Sequence, residues 1–317
     1  MRRWLDRALL GSGWLAVLAG FAGVVLHLGT WRWEWFVLGA SGASYLMTGA
    51  VVGLILVLIA RGWRSAGVAG VVVAAALWTQ LPIFVADGHA ATGPRVTVMQ
   101  SNILFGGADV GAVLRAVRDE RVDLLTVDEL TPEAVERFRS AGIDAELPHQ
   151  FLLPGSGGGG TGIYSRYPLR DTERLDGFLI NNLGATMAHP ERGDIAVFAL
   201  HPIPPNLDFA AWSRELPRIR EILDAQTGPA IVGADFNATR DHAAFRDLVR
   251  GRFDSAADLV GAGPMPTWPD SKRWGPVLGI DHILVAGGTA EELRSLTIPG
   301  SDHRALVARL RLDPAEN

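Results

Sequence analysis

The 317 residues are 48% hydrophobic with a mean hydropathy of +0.19, and only 20% are charged. That apolar content excludes a disordered chain, and the absence of Cys excludes a disulfide framework, thiol catalysis and thiolate metal sites. Charge is divided along the chain: residues 1–86 carry six Arg against Asp6 and Glu34, a net of +4, and the remainder carries a net of −9.

Three apolar runs come first. Residues 8–28 hold 21 positions with only His27 near the end, residues 36–60 hold 25 without a charge, and residues 66–86 hold 21 with Gln80 and Pro82 as interruptions. A hydrocarbon core of about 30 Å needs about 20 helical residues, so each run predicts a membrane span and residues 1–86 a three-helix transmembrane region. Gly49, Gly53, Gly67 and Gly70 suit close helix approach in a bilayer. Seven of the ten Trp fall in this region, with Trp31, Trp33 and Trp35 crowding the first loop as interfacial anchors do. Arg2, Arg3 and Arg7 precede the first run and Arg61 and Arg64 separate the second from the third, whereas the first loop has only Arg32, offset by Glu34. The positive-inside rule then places the N-terminus in the cytoplasm and, after three spans, everything beyond residue 86 outside it. A signal peptide is the competing reading of residues 1–28, but the run is too long for an h-region and two more follow. Two spans instead of three would reverse the side, and the third run is the weakest because Pro82 lies near its end.

Residues 87–94 read as a linker and 95–312 as one catalytic domain. Short apolar runs predict strands over 96–100, 124–127, 162–165, 195–200, 230–233, 283–285 and 305–310; amphipathic segments predict helices over 110–120, 132–141, 209–225 and 242–250. Asp109 and Thr131 read as N-caps, Thr131 being followed by Pro132 at the first helical position. About 220 residues of this alternation bury a substantial core as a single α/β unit. Residues 156–162 (Ser-Gly-Gly-Gly-Gly-Thr-Gly) lack the Lys-Ser/Thr and helix start of a phosphate cradle and read as a flexible loop between strands. Asn237-Ala238-Thr239 has the form of an N-glycosylation sequon.

The informative residues sit where strands end. Asn102 closes the first run, Asp128-Glu129 the second, His201 the fourth, and Asp235-Phe236-Asn237 the fifth; Asp281-His282 and Asp302-His303 introduce the last two. Singly, an Asp at a strand end is more often a turn former or cap, and His201 before Pro202 a turn histidine. Asp281 and His282 face opposite ways on an alternating strand, so one of them points into the core. Together, carboxylates, amides and imidazoles at one rim suit a hard divalent cation and phosphate chemistry.

Residues 95–312 resemble the endonuclease/exonuclease/phosphatase superfamily, which includes DNase I, abasic-site endonucleases, inositol-polyphosphate phosphatases and neutral sphingomyelinases. Val98-Met99-Gln100-Ser101-Asn102 is similar to its opening strand, Asp123 through Glu129 to its second, and Gly162-Ile163-Tyr164-Ser165-Arg166-Tyr167-Pro168-Leu169 to its Ser-Arg-Tyr-Pro strand. His201 stands where the family has Thr-His, Gly233-Ala234-Asp235-Phe236-Asn237 is a one-residue variant of Gly-Asp-Phe-Asn, and Ile280-Asp281-His282-Ile283 and Ser301-Asp302-His303 complete the order. Two departures are Asp128, where the family has Gln, and the inserted Ala234. The resemblance implies a four-layer, DNase I-like α/β sandwich and a Mg²⁺ cofactor, with Mn²⁺ as the alternative. By the same resemblance Glu129 is the principal metal ligand, with Asn102 and Asp302 contributing. Asp235, Asn237, His201 and His303 act on the phosphate, and Asp281 orients His303. Asp235 and Asn237, two apart on an extended segment, would share a face. Either Asp235 or His303 is the general base.

The layout is similar to membrane-bound actinobacterial members linked to teicoplanin resistance and prenyl-pyrophosphate hydrolysis. A domain with one Lys (Lys272) and a net of −9 is poorly suited to the phosphate contacts of a nonspecific nuclease. A site tethered to a bilayer has a high effective concentration of lipid head groups. Outward-facing lipid phosphates, polyprenyl pyrophosphate among them, are therefore the leading substrate class, with the bilayer as partner and no obligate protein partner evident. A membrane-tethered nuclease and a non-catalytic envelope binding protein are the alternatives. Trp268 and Trp274 are candidates to shape the substrate site; Trp212, on an amphipathic helix, reads as core.

Overall fold

The computed structural model describes residues 2–314 and divides into two compact units. The first comprises residues up to Phe84 together with Thr239–Ala243. Its helices are α1 (Arg2–Leu28), α2 (Glu34–Ala40), α3 (Ala43–Ile59) and α4 (Trp63–Gln80), followed by a 3₁₀ turn over Leu81–Phe84 that contains Pro82. Two helical stretches, Arg3–Leu28 and Trp63–Phe84, are long and apolar enough to cross a membrane. The uncharged middle run is not one straight helix: α2 and α3 meet at a bend of 66°, and counting that pair as one broken span gives a third. The break falls at Ser41-Gly42, next to the poor helix former Gly. α1 and α3 pack through small residues. A Cβ on Gly20 would lie 2.5 Å from Ala50 N, and one on Gly53 2.6 Å from Val17 Cγ2. Gly67 and Gly70, expected to serve the same purpose, have nothing within 4 Å of such a Cβ.

The second unit is an α/β sandwich. In chain order it runs β1 (Arg95–Asn102), α5 (Val110–Asp119), β2 (Leu124–Asp128), α6 (Pro132–Ala141), α7 (Ile143–Glu146), β3 (His149–Leu153), β4 (Thr161–Ser165), β5 (Leu169–Arg174), β6 (Leu183–His189) and β7 (Gly193–Leu200). It continues through α8 (Phe209–Asp224), β8 (Ala230–Asp235), α9 (Ala243–Leu248), β9 (Asp254–Ser255), α10 (Ala256–Leu259), β10 (Asp281–Ala286), β11 (Gly288–Thr297) and β12 (Arg304–Leu312). The strands form two six-stranded sheets, ordered β11-β12-β1-β2-β4-β3 and β5-β6-β7-β8-β10-β9. Val98, Leu124, Ile163 and Leu310 of one sheet share a core with Met187, Val197, Ile231 and Ile283 of the other. A second core joins the outer face of the first sheet (Met99, Leu125, Val127) to α5 and α6 through Val113, Val117 and Phe138.

Local chemistry sets the helix starts. Asp109 accepts from Ala112 N, Thr131 from Ala134 N and Asp208 from Ala211 N, each satisfying an amide that the helix itself leaves open. The registers then bring the polar strand ends to one rim. Asn102 pairs with Asp128 across parallel β1–β2, and Asp235 with Asp281 across antiparallel β8–β10. Leu200, just before His201, pairs with Ala234, just before Asp235, across parallel β7–β8. The extra Ala234 makes no bulge: pairing on both sides of β8 runs through it without a shift.

Candidate active site

Asp235 lies at the centre of the rim. Its Oδ2 is 3.7 Å from His201 Nε2, 3.8 Å from His303 Nε2, and accepts from Asn102 Nδ2 at 3.1 Å. The imidazole separations exceed a hydrogen bond, so these groups face one another without bonding directly. Asn102 Nδ2 also donates to Glu129 Oε1 at 3.0 Å, and Phe105 N donates to Glu129 Oε2 at 2.7 Å. His303 Nδ1 meets Asp281 Oδ2 at 2.8 Å, which fixes the ring so that Nε2 points toward Asp235 and Asp302 Oδ1, the latter 3.9 Å away. Seven of the eight candidate residues are thus linked in one cluster. Asn237 joins it by donating its N–H to Asp235 Oδ1 at 2.9 Å, while its side-chain amide donates to Pro202 O at 3.1 Å.

The route by which Asn237 arrives differs from expectation. The strand stops at Asp235, and Asn237 adopts a left-handed φ of +50° instead of continuing an extended face. Glu129 is likewise left-handed, at +61°. Asn enters this region more readily than most residues, whereas a Glu there is uncommon and depends on its surroundings, here the hydrogen bonds from Asn102 and Phe105. His282 faces away from the site, as alternation requires: its ring lies 4.0 Å from that of Phe245 and its Nε2 meets Ala238 O at 2.9 Å.

Burial and mutual charge tune the cluster. Burial, with the Asp281 carboxylate beside it, pushes the Asp235 carboxyl up to about 6 against the opposing pull of His303 and His201. Burial would lower His303, but the charges of Asp281 and Asp235, the Asp281 hydrogen bond and the Asp302 charge reverse that and hold the imidazole up to about 10. Burial wins at His201, whose imidazole is lowered, and at Glu129, whose carboxyl is raised. A cationic His303 and a neutral His201 on either side of one carboxylate suit an attack on phosphorus: one ring compensates charge while the other donates or accepts a single proton.

Several supporting residues were not singled out by sequence. Asn182 accepts from His201 N at 2.8 Å and donates to His201 O at 3.2 Å, gripping that residue by its backbone. Buried Glu215 accepts from Leu179 N and Ile203 N, both at 2.8 Å, tying together two loops of the rim. Thr267 Oγ1 accepts from Ile280 N and Asp281 N. The glycine tract is not a free linker. A Cβ on Gly158 would stand 3.7 Å from Glu129 Cδ, and a Cβ on Gly160 would overlap the Leu130 carbonyl. Its Gly content was the signal for that close approach. Trp268 belongs to the site, donating from Nε1 to Asp302 Oδ2 at 3.0 Å; Trp212 is core, and Trp274 is 72% exposed.

Residues 99–303 match the sequence profile described as the Endonuclease/Exonuclease/phosphatase family, roughly two-thirds of the chain. The chain belongs to the Endonuclease/Exonuclease/phosphatase family. It is, by that membership, a hydrolase of phosphoric ester bonds. Its fold is similar to an endonuclease/exonuclease/phosphatase from Beutenbergia cavernae DSM 12333 (17% identity over 70% of this chain and 72% of that one, TM-score 0.55). It is also similar to D. rerio TDP2 complexed with a single-strand DNA product (15%, 68% and 98%, 0.54) and to the human Nocturnin catalytic domain with bound sulfate (19%, 70% and 96%, 0.53). At these identities the likeness establishes the fold. No curated protein sequence matches the chain.

Members of this family commonly use a divalent metal, and the residues present fit one. Asp302 Oδ1 is buried with no hydrogen-bond partner, and Glu129 offers a second carboxylate beside Asn102. Oxygen donors of this kind suit a hard cation. A second set, Asp235, Asp281 and His303, offers ligand atoms within 4.8 Å of one another. There His303 Nδ1 and Asp281 Oδ2 hold each other at 2.8 Å, while His303 Nε2 and the unpartnered Asp281 Oδ1 stay open to a cation. Oxygen and nitrogen donors that fit a cation are thus present on both sides of Asp235.

Proposed function

We propose that this protein is a membrane-anchored, Mg²⁺-dependent hydrolase of lipid-linked phosphates, polyprenyl pyrophosphate being the leading candidate, with its site on the extracytoplasmic side. The observation that carries this reading concerns exposed large apolar side chains among the described residues. Beyond Val85 these are Phe105, Leu179, Leu207, Trp274 and Val277, and nowhere else. Each lies within seven residues, along the chain, of a residue of the cluster or of Asn182, which holds the His201 backbone: Phe105 follows Asn102, Leu179 precedes Asn182, Leu207 follows His201, and Trp274 and Val277 precede Asp281. Exposed apolar side chains on the chain segments that lead to and from a polar centre suit a phosphate carried on a hydrocarbon chain. The net charge of −9 after residue 86 works against a long polyanion such as DNA.

In this reading the bound cation supplies charge neutralisation and polarisation of a phosphoryl oxygen, held by Glu129 and Asp302 beside Asn102. Asp235 takes the proton of the attacking water, its raised pKa keeping it basic enough near neutrality. Asn237 holds Asp235 Oδ1 through its N–H, which orients Oδ2 inward. His303, charged and fixed by Asp281, donates to the phosphoryl oxygen as negative charge builds there, and His201 supports the opposite side. The layout with three apolar segments before the domain supports kinship with the membrane-bound, teicoplanin-resistance-linked type. The test is to assay the purified full-length protein with Mg²⁺ against prenyl pyrophosphate and against plasmid DNA. Phosphate release without nicking is expected; nicking without phosphate release would replace this proposal with a tethered nuclease.

A further inference from the structure

The helical unit contains a buried ionisable cluster to which no step of the hydrolysis has been assigned. It is built on Thr239–Ala243, a segment that packs as part of the helical unit although the chain supplies it directly after β8. His27 Nδ1, at the end of α1, meets Asp241 Oδ1 at 2.7 Å, with both side chains only 8% exposed. Asp241 Oδ2 accepts from Ser44 N at 3.1 Å, in the first turn of α3, where a carboxylate meets both an open amide and the positive end of the helix dipole. Gln80 Nε2, closing α4, reaches Asp241 Oδ1 at 3.4 Å. The next residue, His242, places Nε2 3.0 Å from Val37 O of α2 and 3.4 Å from Ser41 Oγ, and its Nδ1 accepts from Thr239 N at 2.9 Å. One five-residue segment is therefore bonded to α1, α2, the α2–α3 turn, α3 and α4.

Its covalent neighbour upstream is the site. Asn237 stands two residues before Thr239 and holds a left-handed φ of +50°, a conformation that Asn enters more readily than most residues but that is less populated than the right-handed one. Upstream, Asn237 is tied through Asp235 Oδ1 and Pro202 O; downstream, the chain is tied at Ala238 O by His282 and then by the segment in the helices. We propose that the buried His27–Asp241 pair is a positioning device for hydrolysis: by anchoring Thr239–Ala243 in the helical unit it holds Asn237 in its left-handed conformation and so orients the Asp235 carboxylate. The inference rests on the hydrolytic reading of Asp235 and Asn237 and is independent of which phosphate is cleaved. It assigns the N-terminal helices a part in catalysis in addition to anchorage.

The test uses the full-length protein in lipid nanodiscs, with variants Asp241→Ala, His27→Ala, the double variant, and the conservative Asp241→Asn, whose side-chain oxygen can still cap Ser44. Turnover is read on whichever of prenyl pyrophosphate and plasmid DNA the wild type cleaves, so a wrong substrate does not count against the pair. Hydrogen–deuterium exchange is read on the peptides covering residues 124–128 and 235–238. Displacing a catalytic group by an ångström costs about 100-fold in rate. Asp241→Ala and His27→Ala should each lower kcat to that extent with KM little changed, and the double variant should be no worse than the poorer single. Asp241→Asn should recover most of the loss. Exchange at 235–238 should speed up while that at 124–128, in the sheet core, stays slow. A merely structural pair would lower the melting temperature and speed exchange at both places. Unchanged exchange at 235–238 in Asp241→Ala, with or without detectable turnover, would overturn the inference.

Discussion

The two units place the same kinds of residue in opposite ways. In the helical unit large apolar side chains face outward, Leu15, Val71 and Trp78 being 71%, 70% and 82% exposed, and contact between helices falls to Gly and Ala. In the α/β unit Val98, Leu124 and Val197 are fully buried, and the buried polar residues include a group, Asn102, Asp128, His201, Asp235, Asp281 and His303, gathered at one rim. The α/β arrangement is what water enforces. The helical arrangement suits a lipid surround, where apolar burial gives no drive and association depends on backbones approaching closely. The sandwich should therefore be sensitive to the removal of volume, and the bundle to its addition.

The largest expected effect lies at the rim, where removing a side chain removes charge stabilisation in the transition state. His303→Ala should lower kcat/KM by about 10³-fold, equivalent to about 4 kcal/mol, and Asn237→Ala should follow it, with the α/β unit still folded by near-ultraviolet circular dichroism. Next come the cores. Leu124→Ala, between the sheets, should cost about 2–5 kcal/mol in denaturant unfolding. The bundle counterpart is Gly20→Leu, which forces a side chain against Ala50 and should cost about 1–3 kcal/mol, while Gly67→Leu, with open space around it, should cost nothing. Equal tolerance of Leu at positions 20 and 67 would remove the contrast between the units.

How much was legible follows the same division between buried and half-buried elements. The seven expected strands match β1, β2, β4, β7, β8, β10 and β12, all interior to the two sheets, whose apolar runs are continuous because both faces are covered. The strands not anticipated include all four sheet edges, β3, β5, β9 and β11. β5 reads Leu-Arg-Asp-Thr-Glu-Arg with nearly every residue exposed, and its register shifts between Arg170 and Glu173, so it has no apolar period to detect. β6 is interior, but its core-facing Leu183, Ala185 and Met187 alternate with Gly184, Thr186 and Ala188, so it has no continuous apolar run. The eight residues that cluster at the rim were readable as candidates because they sit where strands stop, and a strand end is marked in sequence by an abrupt change from apolar to polar. Asn182 and Glu215 act through backbone groups of loops, and no spacing in the sequence links them to His201 or Ile203.

Asp128 offers the smallest effect and the finest test of what burial does at the rim. It stands where the family's Gln would be, fully buried, with Oδ2 accepting from Gln100 Nε2 at 2.6 Å and Asp235 N at 3.1 Å and with Oδ1 unpartnered. Burial and the neighbouring Asp235 charge push its carboxyl well above the ordinary range. The folded protein therefore binds this proton more tightly than the unfolded chain does. By linkage, stability then falls as pH rises from the unfolded carboxyl value near about 3.9 toward the raised folded one. Asp128→Asn retains an oxygen for the same two donors and has no proton to lose. In EDTA the variant and the wild type should melt together near pH 4, and the variant should gain as pH rises to 7, each kcal/mol being worth roughly 2–4 °C in a unit of this size. A gap that stayed constant with pH would mean that the substitution acts through shape alone and that Asp128 carries no buried charge cost. A gap that opened in the opposite direction would mean that the ionised carboxylate is held by its donors more strongly than burial penalises it.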